Sequence, residues 1–209
     1  MIDAEQLLMW EAELEPAPQE VLFQTVVIAP HYDDVDLGAS ILAANAGLLV
    51  VAGQDNERRV EQHASSHVLK MAGMVRGDWP DGAVTHDVAL VRFIERGIAG
   101  AAKVLIPPVL DTHQDHVATA RACISATRRS PVTVIEYETP SVMADWVPNM
   151  WMPMSEPDLD RQVEAVACHR TQVDKDYMTR RWLEARAIFR GQQVGLPLAQ
   201  AYRTVRSVG

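Results

Sequence analysis

Two short segments concentrate histidine and aspartate directly behind apolar runs: Ala29-Pro30-His31-Tyr32-Asp33-Asp34-Val35-Asp36-Leu37-Gly38 and Asp111-Thr112-His113-Gln114-Asp115-His116. A zinc hydrolase typically holds its ion with three protein ligands and leaves one position for water. His31, Asp34 and His116 can supply those three. His31 and Asp34 lie three apart in a turn and can reach one ion, whereas His116 must arrive from a neighbouring strand end. Two imidazoles and a carboxylate also suit iron(II). Asp33, His113 and Asp115 remain as acid–base groups beside such an ion. The competing structural reading makes Asp33 or Asp34 the cap of a helix beginning near Leu37, and Asp115 the cap of one beginning near Val117.

The elements that must position these residues read as alternating strands and helices. Val21 to Ala29 is rich in β-branched residues, stops at Pro30 and reads as a buried strand. A helix over Leu37 to Ala46 follows, then a strand over Leu48 to Ala52. Glu57 to Ala72 reads as a helix ended by Gly73. The apolar spacing of Val88, Val91 and Ile94 predicts a helix over Asp87 to Ile98. Val104 to Ile106 is a third strand, stopped by Pro107-Pro108, and Val117 to Thr127 a helix. Val132 to Tyr137 is a fourth strand. Such alternation predicts an α/β, Rossmann-like three-layer fold, with a mostly parallel sheet and helices on both faces. Sheets of this kind bind ligands beyond the carboxyl ends of their strands, and both His/Asp segments sit there. Beyond Pro140, Trp146 to Pro153 reads as a loop. Ser155-Glu156-Pro157-Asp158 reads as a helix start. That helix runs to about His169, a second covers Asp174 to Phe189, and Gly191 and Gly195 mark a loop before the tail.

The paired segments resemble the motifs of the PIG-L/LmbE family of zinc-dependent N-deacetylases. That family shows His-Pro-Asp-Asp-Glu with a downstream Gly, and much later His-Pro-Asp-His. Here the pattern is similar at His31-Tyr32-Asp33-Asp34 with Gly38, and at His113-Gln114-Asp115-His116. Fainter echoes are Pro148-Asn149 and His169-Arg170-Thr171-Gln172. The resemblance implies that His31, Asp34 and His116 bind Zn2+, Fe2+ or another divalent metal, one per chain. It implies that Asp33 is the general base, that His113 is the acid or oxyanion group, and that Asp115 orients and charges His113. Such a metal lowers the pKa of water towards about 7 and polarises a carbonyl. A cationic imidazole then stabilises developing charge and protonates the leaving nitrogen. Arg58 corresponds to a family arginine on the substrate side, although a solvated helix start explains it as readily. Tyr32, Val35-Asp36 and Gln114 depart from the family's residues, and none removes a ligand.

The remaining composition narrows the class. With 209 residues the chain suits one domain over 1–209, with a lead-in at 1–20 and a C-terminal loop and helices over 141–209 packed on the same domain. At this size roughly 70% of the unfolded surface is buried on folding, so no staple is required. A net charge of −9 argues against a nucleic-acid or anionic-membrane footprint. Two cysteines do not make a disulfide framework. An N-terminus without a basic segment, and no apolar run of about 18 residues, point to a cytoplasmic chain. The expected substrate is a small N-acetyl amino sugar or N-acetylglucosaminyl glycoside, and homo-oligomers are possible partners. Two alternatives stand beside it: an amidase for a larger acyl or thiol-conjugate amide, and a non-catalytic metal- or sugar-binding module. His63 and His67, four apart on a helix, read as polar-face residues.

Overall fold

The computed structural model describes residues 23–209. The lead-in read as a short helix and linker over residues 2–20 lies outside them. Five strands run parallel: β1 (Thr25–Ala29), β2 (Gly47–Val50), β3 (Gly73–Arg76), β4 (Lys103–Ile106) and β5 (Thr133–Tyr137). Two more extend the sheet: β6 (Met150–Pro153) and β7 (Ala199–Arg206). The order is β3-β2-β1-β4-β5-β7-β6, with β7 antiparallel to both of its neighbours. The connecting helices are α1 (Asp34–Gly38), α2 (Asn56–Leu69), α3 (Val88–Gly97), α4 (Gln114–Thr127), α5 (Glu156–Val166) and α6 (Arg180–Gln192). The expected mixed α/β architecture is thus present. Among the described residues no helix is long and apolar enough to cross a membrane.

The central strands are apolar on both faces because helices cover both. Val26 and Ile28 face one layer with Leu90, Ile94, Val104 and Ala122. The alternate residues, Val27 and Ala29, face the other with Tyr32, Val35, Leu69 and Tyr137. A third cluster of Leu37, Leu159, Leu183 and Leu198 binds α5 and α6 to the far end of the sheet.

Several elements differ from those the sequence predicts. The helix expected over Leu37–Ala46 begins at Asp34 and stops at Gly38. A Cβ on Gly38 would overlap the Glu138 carbonyl oxygen and the Tyr137 ring, so glycine lets α1 press against the end of β5. Helix α2 ends at Leu69 rather than at Gly73: Lys70 takes the left-handed conformation (φ 56°), and Gly73 opens β3. Helix α4 starts three residues before Val117, with His113 as its N-cap residue. Strand β6 falls where the sequence predicts a loop, and β3 and β7 fall in stretches for which it predicts no element. They are edge or near-edge strands with mixed exposure, so they lack the continuous apolar run that marks β1 and β4. Ser155 does cap α5, in a reciprocal capping box with Asp158.

Candidate metal centre

Strands β1 and β4 are adjacent and in register, Val26 beside Val104 and Val27 beside Leu105. From β1 the chain proceeds to β2 on one side, and β4 flanks it on the other. The crevice at their carboxyl ends is therefore the point where strand order reverses, the usual ligand site of an open α/β sheet. Each strand delivers one His/Asp segment into it. Tyr32 stands where the family motif has proline; it is wholly buried and its hydroxyl donates to the Gly53 carbonyl (2.8 Å), so packing holds the turn.

His31, Asp34 and His116 converge there, all nearly inaccessible to solvent. His31 Nδ1 lies 3.4 Å from Asp34 Oδ2 and 3.3 Å from His116 Nε2, which is 3.3 Å from Asp34 Oδ1. Zinc bonds of about 2.0–2.1 Å in tetrahedral geometry place ligand atoms about 3.3–3.4 Å apart. The donor set fits a divalent ion by both chemistry and spacing. The outer nitrogens fit too, since ligating histidines characteristically give their second nitrogen to a carboxylate or carbonyl. His116 Nδ1 pairs with Asp111 Oδ2 at 2.9 Å, and His31 Nε2 with Asp115 Oδ2 at 3.1 Å. Asp111 is held in turn by the Thr139 hydroxyl and the His113 backbone N–H. Asp115 is held by the backbone N–H groups of Gly82 and Val84.

Electrostatics follow this arrangement. Burial opposes a charge on His31, but hydrogen bonds to Asp115, Asp34 and Asp81 outweigh it and push the imidazole up to about 12. Burial likewise opposes charge on His116, and Asp34 and Asp111 raise it to about 9. Burial works against ionisation of Asp34 as well, yet His116 and His31 hold its carboxyl well below the usual carboxylate range.

The other expected residues are close by. A cavity of about 290 Å3 is lined by His31, Asp33, Asp34, Arg58, Asp81, His113 and His116, with Ser141, Lys175 and Tyr177 completing its wall. Asp33 occupies the N-cap position of α1 without capping it through its side chain; its Oδ1 accepts from Arg58 Nη2 at 2.6 Å. Arg58 also donates to Asp81 Oδ2 at 3.0 Å, so it spans two carboxylates at the cavity wall. His113 packs edge-on against His31, ring centroids 4.7 Å apart, and stacks on His116 at the same distance.

One arrangement differs from the resemblance. Asp115 does not direct its carboxylate to His113; it directs it to His31, and only its backbone N–H meets His113 Nδ1 (3.2 Å). Burial first, then the charges of His116 and His31, lower the His113 pKa, against a raising influence from Asp115. The sequence assigns no role to five contributors: Asp111, Asp81, Ser141, Lys175 and Tyr177. Asp111 carries a signal, as a carboxylate five residues before a candidate ligand and just past a strand. Asp81 lies in a loop 50 residues from His31, and no local pattern marks it. Asp36 and His169 form a wholly buried pair at 2.7 Å behind the cavity, joined by the Ser65 hydroxyl, so His169 faces the core and not a substrate.

No family model and no curated protein matches the sequence. Solved structures do match. The conserved protein TT1542 from Thermus thermophilus superposes with a TM-score of 0.76 at 20% identity, covering 90% of this chain and 97% of that one. N,N'-diacetylchitobiose deacetylase from Pyrococcus horikoshii gives 0.70 at 17%, covering 96% and 91%. GalB, the 4-carboxy-2-hydroxymuconate hydratase from Pseudomonas putida KT2440, gives 0.73 at 15%, covering 88% and 97%. Deacetylases of teicoplanin and of A40926 pseudoaglycone match as well, one of them described in a zinc inhibited form. The chain therefore has the α/β fold shared by the LmbE-like deacetylases, a fold that in GalB also serves a hydratase.

Proposed function

We propose that the protein is a metal-dependent hydrolase that removes the N-acetyl group from an N-acetyl amino sugar or glycoside. The observation that carries this reading is the His31–Asp34–His116 cluster, its ligand atoms within 4.8 Å of one another, on a cavity wall that also presents Asp33 and His113. A divalent ion, zinc first among those that suit the donors, supplies Lewis acidity to the scissile carbonyl and a lowered pKa to water. Asp33 takes the proton from the attacking water; its place beside Asp34 puts it within reach without making it a ligand. Arg58 Nη2 donates to Asp33 Oδ1 and orients that carboxylate at the cavity wall. His113 donates to the developing oxyanion and then to the departing nitrogen. Asp115 and Asp111 fix the rings of His31 and His116, so Asp115 acts through His31.

The cavity sits at the small end of the ~300–1,000 Å3 range of ligand pockets. That suits one sugar ring with its acetamide better than the larger acyl amide of the alternative reading. The test is elemental analysis of the purified protein together with a free-amine assay across N-acetyl sugars and glycosides. Hydration of an unsaturated tricarboxylate is screened alongside, because GalB shares the fold. One divalent ion per chain and release of amine support the proposal. A loaded protein that hydrates and releases no amine from any member of the panel would sink it.

A further inference from the structure

We propose a second divalent-cation site on the outer side of His31, formed by His31 Nε2, His113 and Asp115 with the Asp81 carboxylate at its mouth, that is filled only when the metal is in excess and that shuts the active site down. His31 faces two carboxylate groups with its two nitrogens. Nδ1 meets Asp34 and His116. Nε2 meets Asp115 Oδ2 at 3.1 Å and Asp81 Oδ1 at 3.2 Å. These separations are close to the edge of a tetrahedron with ~2.0–2.1 Å bonds, like those in the first cluster. His31, His113 and Asp115 present one ligand atom each within 4.8 Å of one another, a second three-residue group distinct from His31–Asp34–His116. Asp81, from the loop after β3, adds a carboxylate charge at the mouth of this group, its Oδ1 3.2 Å from His31 Nε2. Its side chain is 57% exposed, so an ion has an entry route from solvent. A mixed N/O set favours zinc or another borderline transition ion over magnesium or calcium.

The chemistry sets the order of filling. The first ion uses His31, Asp34 and His116 in the arrangement they already hold. The second displaces the Nε2–H proton of His31 to solvent, leaving the ring bridging two ions, and competes with the Gly82 N–H for Asp115 Oδ2. It therefore binds more weakly. Once bound, it takes His113, the group assigned above to the oxyanion and leaving nitrogen. The inference shares the ligand assignment of the first site, and His116→Ala separates the two, since that residue belongs only to the first.

The experiment is equilibrium dialysis against zinc, read by elemental analysis, on the full chain, with a parallel activity titration. Wild type should bind one ion tightly and a second at least ~100-fold more weakly, with inhibition following the second. Asp81→Asn should keep the first ion, which also reports that the variant is folded, and bind the second at least ~10-fold more weakly. His113→Gln should do the same. His116→Ala should lose the tight ion and retain the weaker one. Saturation of wild type at one ion per chain in a large zinc excess overturns the inference. A second ion of equal affinity in wild type, Asp81→Asn and His113→Gln overturns it too, and would place that ion elsewhere, for instance at His63 and His67 on α2.

Discussion

Asp111 makes the sharpest test of how the metal centre is held, because its two oxygens have separate duties. Oδ2 accepts from His116 Nδ1 (2.9 Å) and from Thr139 Oγ1 (2.5 Å), while Oδ1 accepts from the His113 backbone N–H (2.7 Å). Replacing it with asparagine keeps the shape but converts one acceptor to a donor. If the new NH2 takes the Oδ2 place, it faces His116 Nδ1 and forces the proton to Nε2, where the ion must bind. If it takes the Oδ1 place, it opposes the His113 N–H, and a buried donor is left unmet at about 1–3 kcal/mol. Partners of ligating histidines are worth about 10–100-fold in metal affinity, or about 1.4–2.7 kcal/mol. Asp111→Asn should therefore lower zinc affinity by that factor, measured by competition with a chromophoric chelator. Where the second orientation prevails, the metal-free protein should instead lose about 1–3 kcal/mol in urea denaturation. Zinc affinity within about twofold of wild type, together with unchanged metal-free stability, would refute the assignment of Asp111 as the group that sets the His116 tautomer.

Asp33→Asn should retain the ion by elemental analysis but lose amine release by about 10²-fold or more, the usual worth of a general base; near-normal turnover would move that role to another group. Asp115→Asn should weaken zinc binding through His31 Nε2 while leaving the pH dependence of any residual activity nearly in place, as a chelator titration and a pH–rate profile would show. In the metal-free protein His116 stands raised to about 9 by Asp34 and Asp111 against the pull of burial. Because its folded pKa lies above its unfolded value of about 6.5, the stability it lends is full below about pH 6.5 and fades as pH rises through about 9. Denaturation of chelator-treated protein at about pH 6 and about pH 9.5 should show the lower stability at the higher pH, and saturating zinc should remove the difference. Asp36→Asn strands His169 in the core and should cost about 3–5 kcal/mol, visible as a fall in Tm without loss of zinc stoichiometry.

The fold is legible wherever burial on two faces leaves a continuous apolar run. Val26 to Ala29 and Val104 to Ile106 lie between two helical layers, so every residue in them is apolar, and Pro30 and Pro107 mark where the strands stop. Strands β6 and β7 escape because they finish the sheet. Trp151 and Met152 are half-buried, and Arg203 to Arg206 face partly outward, so neither alternation nor a run emerges. Glycine proves an uneven guide to helix ends. Gly73 opens a strand, and Lys70 ends α2 in a left-handed conformation that glycine more often supplies.

The candidate ligands are legible for a reason that does not extend to the residues around them. His31, Asp34, His113, Asp115 and His116 fall in two short segments because adjacent parallel strands each leave one loop at the crevice, and each loop must carry several functional groups at once. Spacing along the chain says that Asp115 and His113 are neighbours, but not that the turn into α4 swings the carboxylate past His113 to His31 Nε2. That direction is decided by the Gly82 and Val84 N–H groups, offered by a loop 33 and 31 residues away. The same loop brings Asp81 to both Arg58 and His31. The loop after β3 thus governs which carboxylates meet His31 Nε2 and so which nitrogen is left towards Asp34 and His116. Variation there can retune the metal centre while leaving both His/Asp segments unchanged.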